Sequence, residues 1–398
     1  MIRKLLPILG ITFIDIVGFS MLLPILPYFV THFGMSAAVV GLLMSTFSFC
    51  QLVSGPLWGN ASDRIGRKTV LIISQIGATI GWAMLAFAGN ILWVFIARIV
   101  EGASGGNIGI TQAYVADIVE PKDRSRAFGL IGAMFAAGMV FGPVGGGALF
   151  ARFGFMAPFL AASALQFATL VLTIVLLPES RSKPDESQAR VGLRDILTTL
   201  RNPRMSRILW QKLAISLALY GWYASIALYL NGQLHFGVVA TTEYFSLFAL
   251  VNVAINGFGI GKTSNFLGDR VMSTIGLALL VVAFALLPFT HTAWTVGGAM
   301  ILFAIGGAFA GNGITALISN AATDREQGTA LGVSSSLDSL SGIFAPPIST
   351  GFISHFGAPY ASIESLVAGA IALVMGLAAA PNDARFLPGG SPEITSEA

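Results

Sequence analysis

Long apolar stretches alternate with short polar breaks along almost the whole chain. A helix needs about 20 consecutive, mostly apolar residues to cross the hydrocarbon core of a bilayer. The pattern therefore predicts an all-α membrane protein with twelve transmembrane helices. The predicted spans are 5–30, 37–58, 69–89, 91–116, 127–150, 156–177, 208–232, 242–260, 271–289, 294–318, 328–350 and 360–380.

The composition of the chain strengthens this prediction. Its 398 residues are 55% hydrophobic and 10% charged, and the mean hydropathy of +0.79 leaves too little polar surface for soluble domains. The single cysteine, Cys50, cannot form an internal disulfide and offers no metal cluster. The sequence carries no H-E-x-x-H motif and no nucleophile elbow, so we expect neither an enzyme nor a bound cofactor or metal.

The distribution of lysine and arginine predicts the orientation. Most of the 22 basic residues precede the first span, follow even-numbered spans or lie in the tail, and Arg152 lies in an opposite loop. Because short cytoplasmic loops are enriched in basic residues, we expect both termini in the cytoplasm. The net charge of +3 then reflects topology rather than nucleic-acid binding. The first apolar run contains Asp15 and is too long for a cleavable signal peptide, so we expect a retained span in the cell (inner) membrane.

A long polar break after the sixth span divides the chain into two halves. We expect part of this break to be an amphipathic helix on the inner membrane surface, and the polar C-terminal tail to be disordered. The predicted organisation is an N-terminal six-helix bundle over 1–180, a cytoplasmic linker with the amphipathic helix over 181–207, a C-terminal six-helix bundle over 208–381 and a tail over 382–398.

The two halves also repeat one another. The segment Gly59–Lys68 matches Gly261–Arg270, and Phe141–Pro143 matches Phe344–Pro346. An internal duplication explains both matches. Parallel duplicated halves are a transporter architecture in which the substrate binds near the bilayer midplane between the repeats.

The residues after span two and along span five carry a family resemblance. The segment Gly59–Lys68 resembles the loop signature of the major facilitator superfamily, G-x-x-x-D-R-x-G-R-K, and the resemblance covers essentially the whole chain. Span five is similar to that superfamily's antiporter signature, which marks drug/proton antiporters. The matching residues of span five are Gly129, Gly138, Gly142, Pro143, Gly146 and Gly147.

Two further segments are similar to the twelve-span tetracycline efflux branch of that superfamily. They are span one, with Asp15, Pro24 and Pro27, and span four, with Arg98–Gly102 and Ala113–Asp117. The resemblance implies two pseudo-symmetric six-helix bundles, the major facilitator fold. It also implies proton-coupled drug export.

The glycine run of span five is unusual for a helix. A soluble helix would lose about 1 kcal/mol for each interior glycine and about 3 kcal/mol for proline. In a membrane, small residues instead allow neighbouring helices to pack closely. The second-half counterpart of Gly142 is Ala345, so we predict that span five specifically forms a hinge or tight seam that restricts leak and sets the direction of antiport.

Four ionisable residues inside predicted spans are candidates for proton coupling, because charges in a bilayer are costly and usually functional. Burial disfavours the charged form of Asp15, which suits a reversible proton carrier, although a permanent pair with Arg98 fits as well. Arg98 and Glu101 share a helix face and form either a proton-sensitive pair or a pair that merely tolerates burial. Asp338, in a serine-rich span, could bind a proton or a cationic substrate, or could serve helix packing.

The loop after span two is expected to act as a cytoplasmic latch that holds one access state through charge pairs. Ordinary topology-setting charges are the alternative, but they would need only the cations and not Asp63. The second-half loop has Asn265 at the position of Asp63, so we expect the latch in the first half alone. The latch residues are Gly59, Asp63, Arg64, Gly66, Arg67, Lys68 and Asp117.

Aromatic and amide side chains of spans seven, eight and ten are candidates for substrate contact. Their mixture suits a roomy pocket for amphipathic or planar molecules. Aromatic residues of membrane helices also face lipid or neighbouring helices, which is the alternative for each. The candidates are Tyr220, Trp222, Tyr223, Phe245, Phe248, Asn252, Asn256 and Asn312.

These features predict a proton-coupled secondary active transporter that exports small amphipathic drugs, multidrug or tetracycline-like, by alternating access. The expected partners are a small-molecule substrate, protons and membrane lipid, without nucleic acid, and the monomer is expected to function. One alternative is a transporter of an endogenous metabolite such as a sugar or small peptide, because a fold does not determine a function. Another is a membrane receptor or assembly protein that has lost transport.

Overall fold

The computed structural model describes residues 2–105, 107–120, 123–180, 198, 201–202, 205–322 and 327–378. All regular elements of these residues are helical, and none is a β-strand. The first half contains α1 (Ile2–His32), α2 (Ala37–Ile65), α3 (Arg67–Ala86), α4 (Ile91–Ala103), α5 (Asn107–Ile118), α6 (Arg124–Phe153) and α7 (Met156–Leu176).

The second half contains a further set of helices and three short irregular turns. The helices are α8 (Ser206–Leu234), α9 (Val238–Ala254), α10 (Ile260–Leu267), α11 (Asp269–Leu286), α12 (Ala293–Ala321), α13 (Gln327–Phe356) and α14 (Ile363–Leu377). A π-helical turn (Ile255–Gly259) joins α9 to α10, and 3₁₀ turns (Leu287–Phe289 and Ala358–Ser362) follow α11 and precede α14.

Ten described helical segments are long and apolar enough to cross a membrane, and the protein is an integral membrane protein. The other two predicted spans are not among these ten segments, and each has a feature that explains why. The fourth is divided into α4 and α5 by a break at Ser104 and Gly105, and the eleventh, α13, carries the serine-rich stretch. The count of twelve spans therefore stays a prediction. Most of the predicted linker and the whole predicted tail lie outside the described residues.

The chain forms two compact units that combine segments distant in sequence. The first unit comprises Met1–Arg190, Tyr220–Leu250 and Ser339–Ala361. It thus joins the N-terminal half to the end of α8, most of α9 and the end of α13. One buried cluster of this unit, around Leu22, Trp82 and Phe159, also includes Leu228 and Val238 from the second half.

The second unit comprises Val191–Leu219, Val251–Asp338 and Ser362–Ala398. Within it, α11 and α12 approach closely at glycines. A Cβ atom added to Gly276 would lie 2.8 Å from the carbonyl oxygen of Gly306, and Gly306 is in equally tight contact with Gly276. Small residues thus allow these two backbones to pack together, as is common between membrane helices.

Candidate functional site

The glycine run of α6 packs directly against α1. A Cβ atom at Gly138 would lie 2.7 Å from a side-chain carbon of Ile16, and one at Gly142 would lie 2.6 Å from the carbonyl oxygen of Val17 and would overlap Ser20. The Ser20 hydroxyl donates a hydrogen bond of 2.9 Å to the Gly138 carbonyl oxygen. These positions exclude any side chain because the two helices are in close contact.

The rest of the glycine signature extends this seam unevenly. Gly146 is close to Met21, and a Cβ atom at Gly147 would overlap the side chain of Thr242 from α9. Pro143 lies within the continuous helix α6. By contrast, a Cβ atom at Gly129 would meet nothing within 4 Å. The signature therefore includes one position without a packing requirement in this conformation.

Two charges of α4 form a buried ion pair. The guanidinium of Arg98 bonds the carboxylate of Glu101, and the two residues are 3% and 6% exposed. The Arg98 guanidinium also lies 4.2 Å from the centre of the Phe47 ring, a favourable cation–π position. Asp15 is half-buried on α1, next to the seam residue Ile16. The Glu101 carboxylate is thus a partner of Arg98.

Asp338 has a cationic partner that the sequence reasoning did not assign. The Lys212 Nζ of α8 lies 2.7 Å from Asp338 Oδ1 of α13, and the Ser216 hydroxyl donates to the same oxygen at 2.5 Å. The sequence does contain an indication of this pair, because Lys212 is the only cation within the predicted span 208–232. An opposite charge on another helix is the usual compensation for such a residue.

Several residues of the predicted latch are in contact with Arg67. Its guanidinium pairs with Asp63 at 2.8 Å and with Asp117 at 3.2 Å, and it donates to the Ser62 hydroxyl. Its backbone amide donates to Glu179 Oε1 at 2.9 Å, after the end of α7. Arg67 is only 4% exposed, so this network links α2, α3, α5 and the segment after α7 through one buried cation.

The other latch residues have unequal roles in this network. Gly66 has a φ of +98°, which favours glycine, and a Cβ atom there would overlap the Glu179 carboxylate. Both the backbone conformation and the lack of space therefore require glycine. The Lys68 ammonium donates to the Ile174 carbonyl oxygen at 2.8 Å. Arg64 is exposed, and a Cβ atom at Gly59 would meet nothing within 4 Å. Glu179 was not predicted, because its approach to Gly66 depends on tertiary packing.

The corresponding loop of the second half has the same backbone and the opposite charge. Gly268, the counterpart of Gly66, also has a positive φ, +78°. The counterpart of Arg67 is Asp269, which accepts hydrogen bonds from Ser264 at 2.5 Å and Asn320 at 3.2 Å. Asn320 occupies the repeat position of Asp117. The cation between two carboxylates is thus replaced by a carboxylate between two neutral donors.

The substrate candidates separate into two groups that belong to different compact units. In the first unit, Trp222 is 1% exposed and Phe245 is also buried, which favours packing roles for both. Tyr223 and Phe248 form an edge-to-face pair with ring centres 6.3 Å apart, and Tyr220 is partly exposed.

The amide candidates form a chain within the second unit. The side-chain nitrogen of Asn312 on α12 donates to the amide oxygen of Asn256 at 2.8 Å. The side-chain nitrogen of Asn256 in turn donates to Asn252 at 2.7 Å. Asn256 lies in the π-helical turn, an element that is frequently associated with functional sites.

Within the first unit, N-terminal helices contact the ends of α8, α9 and α13. The Tyr28 hydroxyl bonds the Phe236 carbonyl oxygen at 2.9 Å and Thr241 Oγ1 at 2.5 Å. The Ala38 amide donates to the Ser354 hydroxyl at 2.8 Å. The charge distribution of the loops predicts that these contacts lie on the non-cytoplasmic side, and we call them the outer seal.

Comparison with known proteins is consistent with this architecture. The family model described as Major Facilitator Superfamily matches residues 8–346 and 225–395. The chain is 32% identical over 380 residues to the tetracycline resistance protein, class C, of Escherichia coli, covering 94% of this chain and 95% of that protein. It is 25% identical to the quinolone resistance protein NorA of Staphylococcus aureus (strain COL), covering 91% and 94%.

Solved structures share the fold at low sequence identity. The human organic anion transporter MFSD10 (TETRAN) superposes with a TM-score of 0.71 at 21% identity, covering 94% of this chain and 99% of that one. A POT family transporter in complex with 5-aminolevulinic acid gives a TM-score of 0.78 at 13% identity, covering 94% and 95%. The family model, the relative above 30% identity and the helical architecture agree, and the chain belongs to the Major Facilitator Superfamily.

Proposed function

We propose that this chain is a proton-coupled exporter of small amphipathic compounds that works by alternating access. The observation that carries the proposal is the Arg98–Glu101 ion pair, which lies almost wholly buried in a predicted membrane span. The efflux direction and the substrate class are supported by the tetracycline and quinolone resistance relatives, which match nearly the whole chain. Twelve spans, cytoplasmic termini and a functional monomer belong to the same proposal.

The ion pair provides a physical means of coupling. Removing one charge from a buried pair leaves the other uncompensated, at a cost of about 3 to 5 kcal/mol. Protonation of Glu101 therefore favours any rearrangement that rehydrates Arg98 or gives it another partner. Arg98 touches Phe47 of α2, and a Cβ atom at Gly81 of α3 would lie 3.2 Å from the Glu101 Cβ. The protonation state of Glu101 would thus be transmitted to two neighbouring helices.

Two further carboxylates can share this role. Asp15 lies beside the seam between α1 and α6, where a change in its charge would act on a tight helix contact. Asp338 pairs with Lys212 in the second unit and could release it on binding a proton or a cationic substrate. Each carboxylate would couple a proton to a helix contact rather than to a chemical reaction.

Alternating access requires contacts that close one side while the other is open. The outer seal is a candidate for the closed side, since Tyr28 and Ala38 of the N-terminal half bond residues of the second half there. The Arg67 latch is the candidate element on the cytoplasmic side. Inward proton movement supplies about 2.3 kcal/mol per charge for each 100 mV of membrane potential to drive the cycle.

Reconstituted vesicles with an imposed pH gradient test the proposal. We expect Glu101→Gln, which mimics the protonated residue, to bind a tetracycline or ethidium probe and exchange it down its own gradient, with pH-driven accumulation lost. Asp15→Asn is expected to lose coupling as well. Glu243→Gln is the control, because it removes an exposed carboxylate on α9. Full pH-driven accumulation by both Glu101→Gln and Asp15→Asn would refute the proton assignment.

A further inference from the structure

A pocket of about 480 Å³ opens in the second unit, between α10, α11, α12 and the start of α13. Its volume falls within the range of about 300 to 1,000 Å³ typical of small-molecule sites. The charge distribution of the loops predicts that this pocket faces the cytoplasm. Its polar lining consists of Ser264, Asn265, Asp269, Asn312, Thr315 and Ser319.

The internal repeat explains why space exists here. At the equivalent position of the first half, the long side chain of Arg67 is buried between Asp63 and Asp117. In the second half this position holds the shorter Asp269, and both flanking carboxylates are replaced by asparagines. The second-half loop therefore lacks the buried guanidinium and presents a carboxylate to a pocket.

The Asp269 carboxylate has hydrogen-bonding capacity left over. Its contacts are the neutral donors Ser264 and Asn320, and within the described part of the chain no cationic side chain pairs with it. An ionised carboxylate offers about four lone-pair positions. A cationic ligand with two N–H donors could thus bind it through a charge-assisted, bidentate contact.

Three other polar side chains of the lining donate their hydrogens to the protein. The Asn312 side-chain nitrogen donates to Asn256 and to the Ala308 carbonyl oxygen. The Thr315 hydroxyl donates to the Gly311 carbonyl oxygen, and the Ser264 hydroxyl donates to Asp269. The oxygen atoms of these side chains can therefore still accept hydrogen bonds from a ligand. These acceptors and the Asp269 carboxylate together favour ligands that are cationic donors.

We propose that this pocket binds small organic cations of the amidinium or guanidinium type. The role of the pocket as an entry subsite for cationic substrates rests on the proposed export function. The binding of such cations to the pocket does not depend on that function.

Equilibrium binding to the purified full-length protein in zwitterionic lipid nanodiscs tests the site. The probes are benzamidinium and its neutral isostere benzamide, measured by calorimetric titration. We expect wild-type protein to bind benzamidinium, and Asp269→Asn to weaken that binding about tenfold, which is about 1.4 kcal/mol. Benzamide binding should not change. Glu243→Gln, which removes an exposed carboxylate on α9, is the matched control and should retain wild-type affinity.

A second variant protects the test against misfolding of Asp269→Asn. Thr315 is an exposed residue of the pocket wall, and Thr315→Leu should obstruct the pocket and weaken both probes. Absence of benzamidinium binding to wild-type protein, or equal affinity in wild type and Asp269→Asn, would overturn the proposal. An equal loss in Glu243→Gln would also overturn it. Export is tested separately, because Glu101→Gln should lose pH-driven accumulation and still bind benzamidinium.

Discussion

The two corresponding loops of the internal repeat share a backbone conformation and differ in charge. Each has a glycine with positive φ between two helices, Gly66 at +98° and Gly268 at +78°. After that glycine the first loop places Arg67 in a network with carboxylates, whereas the second places Asp269 among neutral donors. The backbone of the duplicated turn was kept while its electrostatics were reversed.

This difference shows how a duplicated fold can divide tasks between its halves. A buried guanidinium with several carboxylate partners connects helices, because each partner is held by the same planar group. A carboxylate beside a pocket, such as that of Asp269, does not connect helices in this way and can instead bind a ligand. The first loop is thus suited to a latch and the second to binding, although both descend from one pattern.

The largest expected effect comes from breaking the first network. Arg67→Ala would leave Asp63 and Asp117 as neighbouring carboxylates without their shared cation, at a cost of about 3 kcal/mol. We expect pH-driven transport in vesicles to fall by more than tenfold. Arg67→Lys keeps the charge without the planar fork and should recover part of the activity. Wild-type transport by Arg67→Ala would remove the latch from the mechanism.

A second prediction compares the seam of α6 with its counterpart in α13. Gly142 is in contact with the α1 backbone, while its counterpart Ala345 is buried and already carries a Cβ atom. We expect Gly142→Leu to reduce transport about tenfold while membrane insertion survives, because α1 and α6 must separate. Gly129→Leu is the control, since a Cβ atom there meets no neighbour within 4 Å. Equal transport by the two variants would contradict a specific seam.

The smallest effect should come from the positive-φ glycine of the first loop. A positive φ combined with an extended ψ is essentially restricted to glycine, and placing alanine there costs about 1 to 3 kcal/mol. Gly66→Ala must also displace the Glu179 carboxylate, whereas Gly154→Ala at a φ of +75° meets open space. We expect both variants to lower the apparent midpoint of thermal unfolding in detergent, and Gly66→Ala to lower it by a few degrees more. An equal decrease would show that Glu179 contributes nothing to the loop.

Local patterns in the sequence predicted much of the fold. Apolar stretches predicted the membrane spans because the bilayer imposes a length and a polarity on each helix. The break within the fourth span was not predicted, since Ser104 and Gly105 interrupt an apolar stretch that still has the length of a span. The glycine run predicted a tight seam because a glycine-rich helix is stable only where close packing compensates for it.

The pairing of charges was predicted less well. The sequence identified Asp338, but its partner Lys212 lies on a helix far away in the chain. It likewise identified Arg67 and Asp63 but not Glu179. Trp222 was a candidate for substrate contact, and it lies in the packed interior. Composition and spacing do not determine which distant helices meet.

The sequence by itself determined that this protein is a duplicated, helical membrane protein, because hydrophobicity, basic loops and repeated motifs are properties of short segments. Only the tertiary structure decided that Lys212 pairs with Asp338 and that Arg67 gathers Asp63, Asp117 and Glu179. It also decided that Asp269 faces a pocket. The physical reason is that an ion pair depends on distances of a few ångströms between helices, and those distances arise only when the whole bundle packs.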